Sequence, residues 1–453
     1  MFFFYNNYFL SKSLQNGEKH NIINIVKKEF LMDYSKFFPC LKKLIAFESV
    51  RGEAKEGAPF GEQNRLALDY FLSLANEFGF KTINYDGYGG EIIVGEGDEI
   101  GIMGHLDVVP VGSGWNTPPF ELTEKDGKLI ARGVEDDKGP SLLCLFALKE
   151  LIDEGVKFNK KIRFFVGCNE EDGWKDVEYM QSKTTFPKYG FSPDGNFPAT
   201  YSEKGMYILK IKLPKMTGFT NLFGGKALNA VCDYATVNVE ESQMDKNLIE
   251  KLGLKLIDGN TLESVGITAH GSHPEEGKNA FKQIFKYMQE RGVNLNGIVE
   301  KLFDDGIGLS NYKNEQGVTS ISPNLVIKTN EGYELWCDLR VPAPLTAEDL
   351  TSCIDKLGLE YSIFEKHPPF MTDKNCFMIK ALTDAYSSVT KKDGTPQAMC
   401  GSTYARVFEQ GASFGVGDDV WPGSCHQANE FVDKKHFLES YEIYKQAIYN
   451  LVQ

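Results

Sequence analysis

Short apolar runs bounded by glycine alternate with helical segments between about residues 65 and 200. The runs at 100–103 and 162–166 are candidates for buried strands. Between them, Pro140 suits a first helical turn and Gly155 a helix end, so the leucine-rich segment that they enclose is predicted to be a core helix. Strands that alternate with helices in this way predict an α/β fold with a mostly parallel sheet covered by helices.

The pattern changes after about residue 203. Amphipathic strands are predicted at 207–213, 234–239 and 333–339, and helices at 279–291 and 346–357. Pro368 and Pro369 mark the return to α/β elements, which are a helix at 403–410, a strand at 412–416 and an amphipathic terminal helix. The predicted organisation is an α/β domain made of residues 32–203 and 370–453, an inserted α+β unit at 204–369, and an irregular extension at 1–31.

Composition excludes several classes of partner. The formal net charge is −14 and no cluster of Lys and Arg offsets it, so no nucleic acid is expected as a partner. No segment reaches the roughly 20 apolar residues of a membrane span, so no membrane association is expected. The nine cysteines form no Cys-x-x-Cys pair, which favours reduced thiols and a cytoplasmic location.

The first chemical motif is His105-Leu106-Asp107, directly after the apolar run at 100–103. A histidine that binds zinc through one ring nitrogen usually donates the other N–H to a carboxylate. A surface histidine beside a turn acid fits the same short pattern, so the motif needs support from elsewhere in the chain.

That support comes from Asp136, Glu171, Asp194 and His426, which follow inferred strands or open inferred helices. Taken singly, they also suit a helix cap, a solvated acid, a turn residue and a loop histidine. An open α/β sheet, however, places its binding crevice at such strand ends. Two histidines and three carboxylates gathered there without basic partners would repel one another unless cations occupied the site.

With these residues in view, the chain resembles the co-catalytic two-zinc metallopeptidases, a family that includes aminoacylase, glutamate carboxypeptidase and acetylornithine deacetylase. It is most similar to the bacterial Xaa-His dipeptidase branch, over about residues 32–453. The motifs that carry the resemblance are Gly104-His105-Leu106-Asp107-Val108-Val109-Pro110, Glu135-Asp136-Asp137-Lys138-Gly139-Pro140, Asn169-Glu170-Glu171, Phe191-Ser192-Pro193-Asp194, Gly401-Ser402-Thr403-Tyr404 and His426-Gln427-Ala428-Asn429-Glu430.

The resemblance implies two divalent metal ions and assigns five residues as their ligands. His105 and Asp194 would bind one ion, Glu171 and His426 the other, and Asp136 would bridge both. Zinc suits carboxylate and imidazole ligands, and manganese or cobalt fit nearly as well.

The resemblance also implies that Asp107 orients His105 and that the Asp136-Asp137 peptide bond is cis. Asp136 is chosen as the bridging acid because it lies two residues before Lys138. Asp136→Asn is therefore expected to abolish activity, and Asp137→Asn to spare it.

Glu170 is the expected general base, because it stands beside a ligand without being needed as one. In the inserted unit, which would act as a lid, His270 resembles the family histidine that stabilises the oxyanion, and Asn229 and Arg340 resemble residues that contact the oxyanion and the substrate carboxylate. Arg340 also suits a surface ion pair. Ser402 and Thr403 open a predicted helix whose backbone N–H groups could hold the same carboxylate.

The predicted enzyme is a metal-dependent dipeptidase that cleaves small peptides with a free C-terminal carboxylate. An N-acyl amino acid deacylase, of the acetylornithine or succinyl-diaminopimelate type, would use the same ligands and is the alternative. A non-catalytic metal-binding protein would be expected to lack a base such as Glu170. Both a monomer and a homodimer are compatible with the sequence.

Overall fold

The computed structural model describes residues 34–417 and 423–453. The chain divides into two compact units, Met1–Cys40 and Leu41–Gln453. The first is described only where it opens a helix, and the site lies wholly in the second. The predicted extension at 1–31 lies outside the described residues.

The described residues form nine α-helices. They are α1 (Tyr34–Ile45), α2 (Glu62–Glu77), α3 (Lys138–Asp153), α4 (Lys175–Lys183), α5 (Lys246–Lys251), α6 (Phe281–Glu290), α7 (Ala347–Ile354), α8 (Phe377–Thr390) and α9 (Lys434–Val452). Short 3-10 turns lie at Glu241–Gln243, Pro274–Glu276, Leu309–Asn311, Asp355–Leu357 and Tyr404–Val407, and a π-helical turn at Val299–Phe303.

The same residues form twenty-two strands. They are β1 (Lys81–Tyr85), β2 (Gly89–Val94), β3 (Glu99–His105), β4 (Thr123–Lys125), β5 (Lys128–Ile130), β6 (Lys161–Gly167), β7 (Tyr189–Ser192), β8 (Thr200–Glu203), β9 (Gly205–Lys212), β10 (Phe219–Gly224), β11 (Tyr234–Val239), β12 (Lys255–Ile257), β13 (Thr261–Val265), β14 (Lys313–Asn314), β15 (Gly317–Val318), β16 (Ser320–Thr329), β17 (Gly332–Val341), β18 (Tyr361–His367), β19 (Phe370–Met371), β20 (Gln397–Met399), β21 (Gln410–Ser413) and β22 (Phe431–Asp433).

The main sheet has the strand order β1-β2-β6-β3-β7-β21-β8-β19, and β20 pairs with β8. Its centre, from β6 to β21, is parallel, whereas β1, β2 and β19 add antiparallel edges. The central strands β3 and β6 are buried along nearly their whole length, as strands covered on both faces must be. The predicted α/β class is confirmed.

Helices α3 and α9 pack against each other beside this sheet. The leucines predicted to be core, from Leu142 to Leu151, are buried in α3, and Gly155 follows its end with a positive φ of 76°. The apolar face predicted for the terminal helix is the buried face of α9, which begins at an Asp433 cap. These elements fix the parallel strands whose carboxyl ends carry the site.

The chain passes between two sheets at two connections, which are called the crossings below. Strand β8 ends at Glu203 in the main sheet, and β9 begins at Gly205 in the antiparallel sheet β16-β17-β9-β18; the chain returns between β18 and β19. One hydrophobic core consists only of residues between Tyr207 and Leu357. Both observations support the predicted inserted unit, whose status as a separate domain stays a prediction.

Arg406 holds both crossings. Its Nε donates to Glu203 Oε2 at 2.5 Å, and its Nη2 donates to the Lys204 carbonyl oxygen at 2.5 Å, both on the outgoing segment. Its Nη1 donates to the carbonyl oxygen of Pro368 on the returning segment. A single guanidinium thus joins the two connections of the predicted inserted unit.

The predicted helix at 403–410 is wrong. The helical turn stops at Val407, and Phe408 adopts an extended conformation that leads into β21. A Cβ atom at Gly101 or Gly190 would overlap the Phe408 ring, so that ring packs directly on the glycine backbone of β3 and β7. Tertiary packing therefore ends the helix before its sequence would.

Candidate active site

His105 ends β3, next to the end of the parallel strand β6. The ring is buried, with 1% of the side chain exposed. Its Nδ1 lies 3.0 Å from the backbone carbonyl oxygen of Asp107, which can only accept, so Nδ1 carries the proton. Nε2 is left as the ring nitrogen that faces the carboxylate cluster.

The structure brings the five predicted ligands together. His105 Nε2 lies 2.9 Å from Asp136 Oδ1 and 4.0 Å from Asp194 Oδ2. On the other side, His426 Nε2 lies 3.1 Å from Asp136 Oδ2 and 3.0 Å from Glu171 Oε2. Ligand atoms of His105, Asp136 and Glu171 lie within 4.8 Å of one another. Asp136 is shared by both groups, as a bridging ligand would be.

The charges of this cluster fit divalent cations. Burial and the charge of Asp136 raise the pKa of Asp194 well above its usual range, and they also raise the pKa of Glu171. Burial lowers the pKa of His426, but its hydrogen bonds to Asp136 and Glu171 outweigh this and raise it to about 11. The acids thus repel one another, and cations bound through these oxygens and imidazoles would offset that repulsion.

Asp107 has a different main partner from the one expected. The Asp107 carboxylate lies 3.5 Å from His105 Nδ1, whereas the Asp107 backbone carbonyl oxygen lies 3.0 Å from it. The two carboxylate oxygens instead accept the backbone N–H groups of Glu170 and Glu171, each at 3.1 Å. Asp107 therefore contacts His105 through its backbone carbonyl oxygen and holds the loop of Glu170 and Glu171 through its carboxylate.

The Asp136-Asp137 peptide bond is cis, which confirms that expectation. Asp137 is fully buried, and its Oδ2 accepts the His105 backbone N–H at 3.1 Å and the Ser141 hydroxyl at 2.8 Å. Both contacts use Oδ2 alone, and the amide oxygen of an asparagine could accept them as well. The expectation that Asp137→Asn spares activity therefore stays a prediction.

The lid candidates lie together within residues 204–369, the predicted inserted unit. The Gly271 N–H donates to the Asn229 carbonyl oxygen at 2.7 Å, which places Asn229 beside the His270 loop. His270 Nδ1 lies 2.6 Å from the Ser272 hydroxyl. Burial lowers the pKa of His270, and the positive charge of Arg340 lowers it further.

Arg340 is buried and ion-paired. Its Nε and Nη2 donate to the two carboxylate oxygens of Asp338, each at 3.0 Å, and its Nη1 donates to the Cys400 carbonyl oxygen at 3.3 Å. The ion pair therefore lies in the interior, and the guanidinium also contacts the segment before Ser402 through Nη1.

Ser402 and Thr403 differ in what they can offer a substrate. The Thr403 N–H and hydroxyl both donate to Glu203, at 3.2 and 2.7 Å, so neither is directed to a ligand. The turn that follows has four residues, too short for the expected helix terminus. The Ser402 hydroxyl oxygen is buried and makes no hydrogen bond within the described residues.

Three acids near the site were missed as functional residues. Glu430 accepts backbone N–H groups of the Asp136 loop, Asp338 holds Arg340, and Asp176 accepts the N–H groups of Cys168 and Asn169 just before Glu170. Glu430 ends a motif already singled out, which was the one available signal. The other two acids look like solvated residues in the sequence.

Residues 101–450 match the family described as peptidase family M20/M25/M40. A Staphylococcus aureus (strain USA300) protein named "Putative dipeptidase" is 30% identical over 449 residues, which cover 91% of this chain and 96% of that protein. Human carnosine dipeptidase 1 has a similar fold, with a TM-score of 0.58 at 14% identity over 92% of this chain and 97% of that one. Aminoacylhistidine dipeptidase from Vibrio alginolyticus gives a TM-score of 0.55 at 12% identity, over 95% and 99%.

Proposed function

Because the chain belongs to peptidase family M20/M25/M40, it is a hydrolase, and we propose that it is a metal-dependent dipeptidase. The observation that carries the proposal is the convergence of His105, Asp136, Glu171, Asp194 and His426 beside a free glutamate, Glu170. The dipeptidase name of the Staphylococcus aureus relative favours this reading over the N-acyl amino acid deacylase.

The residues would divide the work in a definite way. His105 and Asp194 would hold one divalent ion, Glu171 and His426 the other, and Asp136 both, with zinc, manganese or cobalt as candidates. Such ions supply Lewis acidity toward the scissile carbonyl and lower the pKa of water. The protein groups must then move protons and position the peptide.

Glu170 is the proposed general base. Burial and the neighbouring charges of Glu171 and Asp194 raise its pKa well above the usual range of a glutamate. A carboxyl group with a raised pKa can take a proton from the attacking water and pass it to the leaving amine. Asp107 acts through Glu170 by holding its backbone N–H.

We propose that residues 204–369 form a lid that completes the site. His270 and Asn229 would stabilise the oxyanion, and Arg340 with Ser402 would bind the C-terminal carboxylate of the peptide. The buried, unpartnered hydroxyl of Ser402 supports this role, since a buried polar group normally has a partner. Thr403 has no substrate role in this scheme. The substrate would be a small peptide.

None of the helices in the described part of the chain combines the length and hydrophobicity of a membrane span. The cytoplasmic location, the lack of a nucleic-acid partner and the choice between monomer and homodimer stay predictions.

A substrate panel tests the function. The metal-loaded protein should hydrolyse dipeptides faster than N-acetyl or N-succinyl amino acids, and a chelator should abolish the reaction. Preference for the N-acyl compounds would favour the deacylase, and no hydrolysis of either class would contradict the proposal.

The carboxylate site is tested with Ser402→Ala. This variant should raise KM for a dipeptide and leave KM for its C-terminal amide unchanged, because the amide lacks the group that Ser402 would bind. Equal effects on both substrates would contradict the assignment.

A further inference from the structure

Glu430 is a buried carboxylate that the proposed chemistry does not use. Its Oε1 accepts three backbone N–H groups of one loop, from Gly133 and Glu135 at 3.0 Å and from Asp136 at 3.3 Å. Glu430 is 1% exposed, so water does not compete for these bonds. The loop that presents Asp136 is therefore held by one side chain from a distant part of the chain.

The second oxygen of Glu430 has its own partner. Arg132 Nη1 donates to Oε2 at 2.6 Å, and Arg132 is also 1% exposed. Arg132 Nη2 lies 3.4 Å from the Pro110 carbonyl oxygen, in the segment that follows Asp107. The ion pair fixes the rotation of the Glu430 carboxylate, so that Oε1 points at the three N–H groups.

Glu430 also follows His426 by four residues. It thus links the loop of one candidate ligand to the loop of another, while the two side chains meet at 3.1 Å. We propose that Glu430 is a positioning residue that sets the distance between Asp136 and His426 for metal binding. The inference rests on the proposed metal centre.

A second buried ion pair provides a matched control. Glu91 is also 1% exposed and accepts hydrogen bonds from Arg163 Nε and Nη2, at 2.6 and 3.1 Å. Glu91 also accepts a hydrogen bond from the Tyr85 hydroxyl. Glu91 bonds to none of the candidate ligands, so it shares the burial and charge of Glu430 without its position.

Glu430→Gln is the decisive variant. Glutamine keeps the shape but replaces one acceptor oxygen by an NH2 group. In either orientation that donor faces other donors, either the guanidinium of Arg132 or the three N–H groups. The loop should therefore shift even if the protein folds.

The measurement is Zn²⁺ affinity of the full-length apoprotein, by competition with a chromophoric chelator. Glu430→Gln should bind Zn²⁺ about 10- to 100-fold more weakly than the wild type, as is typical when a partner that supports metal ligands is lost. Glu91→Gln should bind as the wild type does. The visible absorption of the Co²⁺-loaded protein should change in Glu430→Gln alone.

The outcomes separate the inference from the proposed function. If the wild type binds no metal, the metal centre itself fails. If the wild type binds metal and Glu430→Gln binds equally well, or if Glu91→Gln weakens binding to the same extent, the positioning role is overturned. Should Glu430→Gln not fold, Glu430→Asp takes its place with the same expectation, because it keeps the charge but withdraws the oxygens from the loop.

Discussion

Asp107→Asn is the sharpest test of how the loop that carries Glu170 and Glu171 is held. The wild-type carboxylate accepts the N–H groups of Glu170 and Glu171, each at 3.1 Å. Asparagine has one carbonyl oxygen, so one N–H keeps a partner while the other faces an NH2 group. Asp107 is 3% exposed, so water does not readily replace the lost acceptor.

The size of the effect follows from that lost bond. A hydrogen bond to a charged group contributes about 1.5–3 kcal/mol. If the loop must return to its wild-type position for turnover, the lost hydrogen-bond energy is added to the activation free energy. Because about 1.4 kcal/mol corresponds to a factor of ten in rate, kcat should fall by about 10- to 150-fold.

The assay is steady-state dipeptide hydrolysis at saturating zinc, with metal content measured on the same samples. Asp245→Asn is the control, because Asp245 also accepts one backbone N–H at 3.1 Å, from Leu248 in the inserted unit, away from the cluster. It should leave kcat unchanged. Unchanged kcat in Asp107→Asn with full metal content would refute the reasoning.

Three further outcomes are expected. Glu170→Gln should retain both metal ions and lose about 10²- to 10⁴-fold in kcat, the usual contribution of a general base, and near-normal turnover would remove that assignment. Zinc at 100 times its Kd should stabilise the wild type against unfolding by about 2.7 kcal/mol, seen as a higher Tm, and Asp136→Asn should lose most of this gain. Asp338→Asn should raise KM for a dipeptide more than KM for its C-terminal amide, because it frees the Arg340 fork from its anchor; a uniform change would indicate a general loss of packing.

The sequence predicted the fold where local pattern and tertiary packing agree. The buried strands β3 and β6 and the helix α3 carry uninterrupted apolar signals, so their positions could be read directly. The turn after Thr403 could not, because Phe408 is drawn onto glycines of two other strands that are distant in sequence.

The candidate ligands could be named from the sequence because their residue types and order match a family pattern. Their supporting contacts could not. Asp107 accepts the N–H groups of Glu170 and Glu171, and Asp137 accepts the backbone N–H of His105. These residues are distant in sequence and come within hydrogen-bond distance only when the strands of the sheet align. An acidic residue reads the same in a sequence whether it is solvated or buried among donors.

Arg406 bonds to both ends of the predicted inserted unit, residues 204–369. An inserted unit whose two connections are independent can be exchanged as a whole, since each connection tolerates small changes without affecting the other. Here both connections are bonded to the guanidinium of Arg406, which is also ion-paired with Glu203. A chimaera that grafts another relative's insertion would have to match both junctions to this arginine at once, so recombination at this boundary should succeed only when the junctions and Arg406 are inherited together.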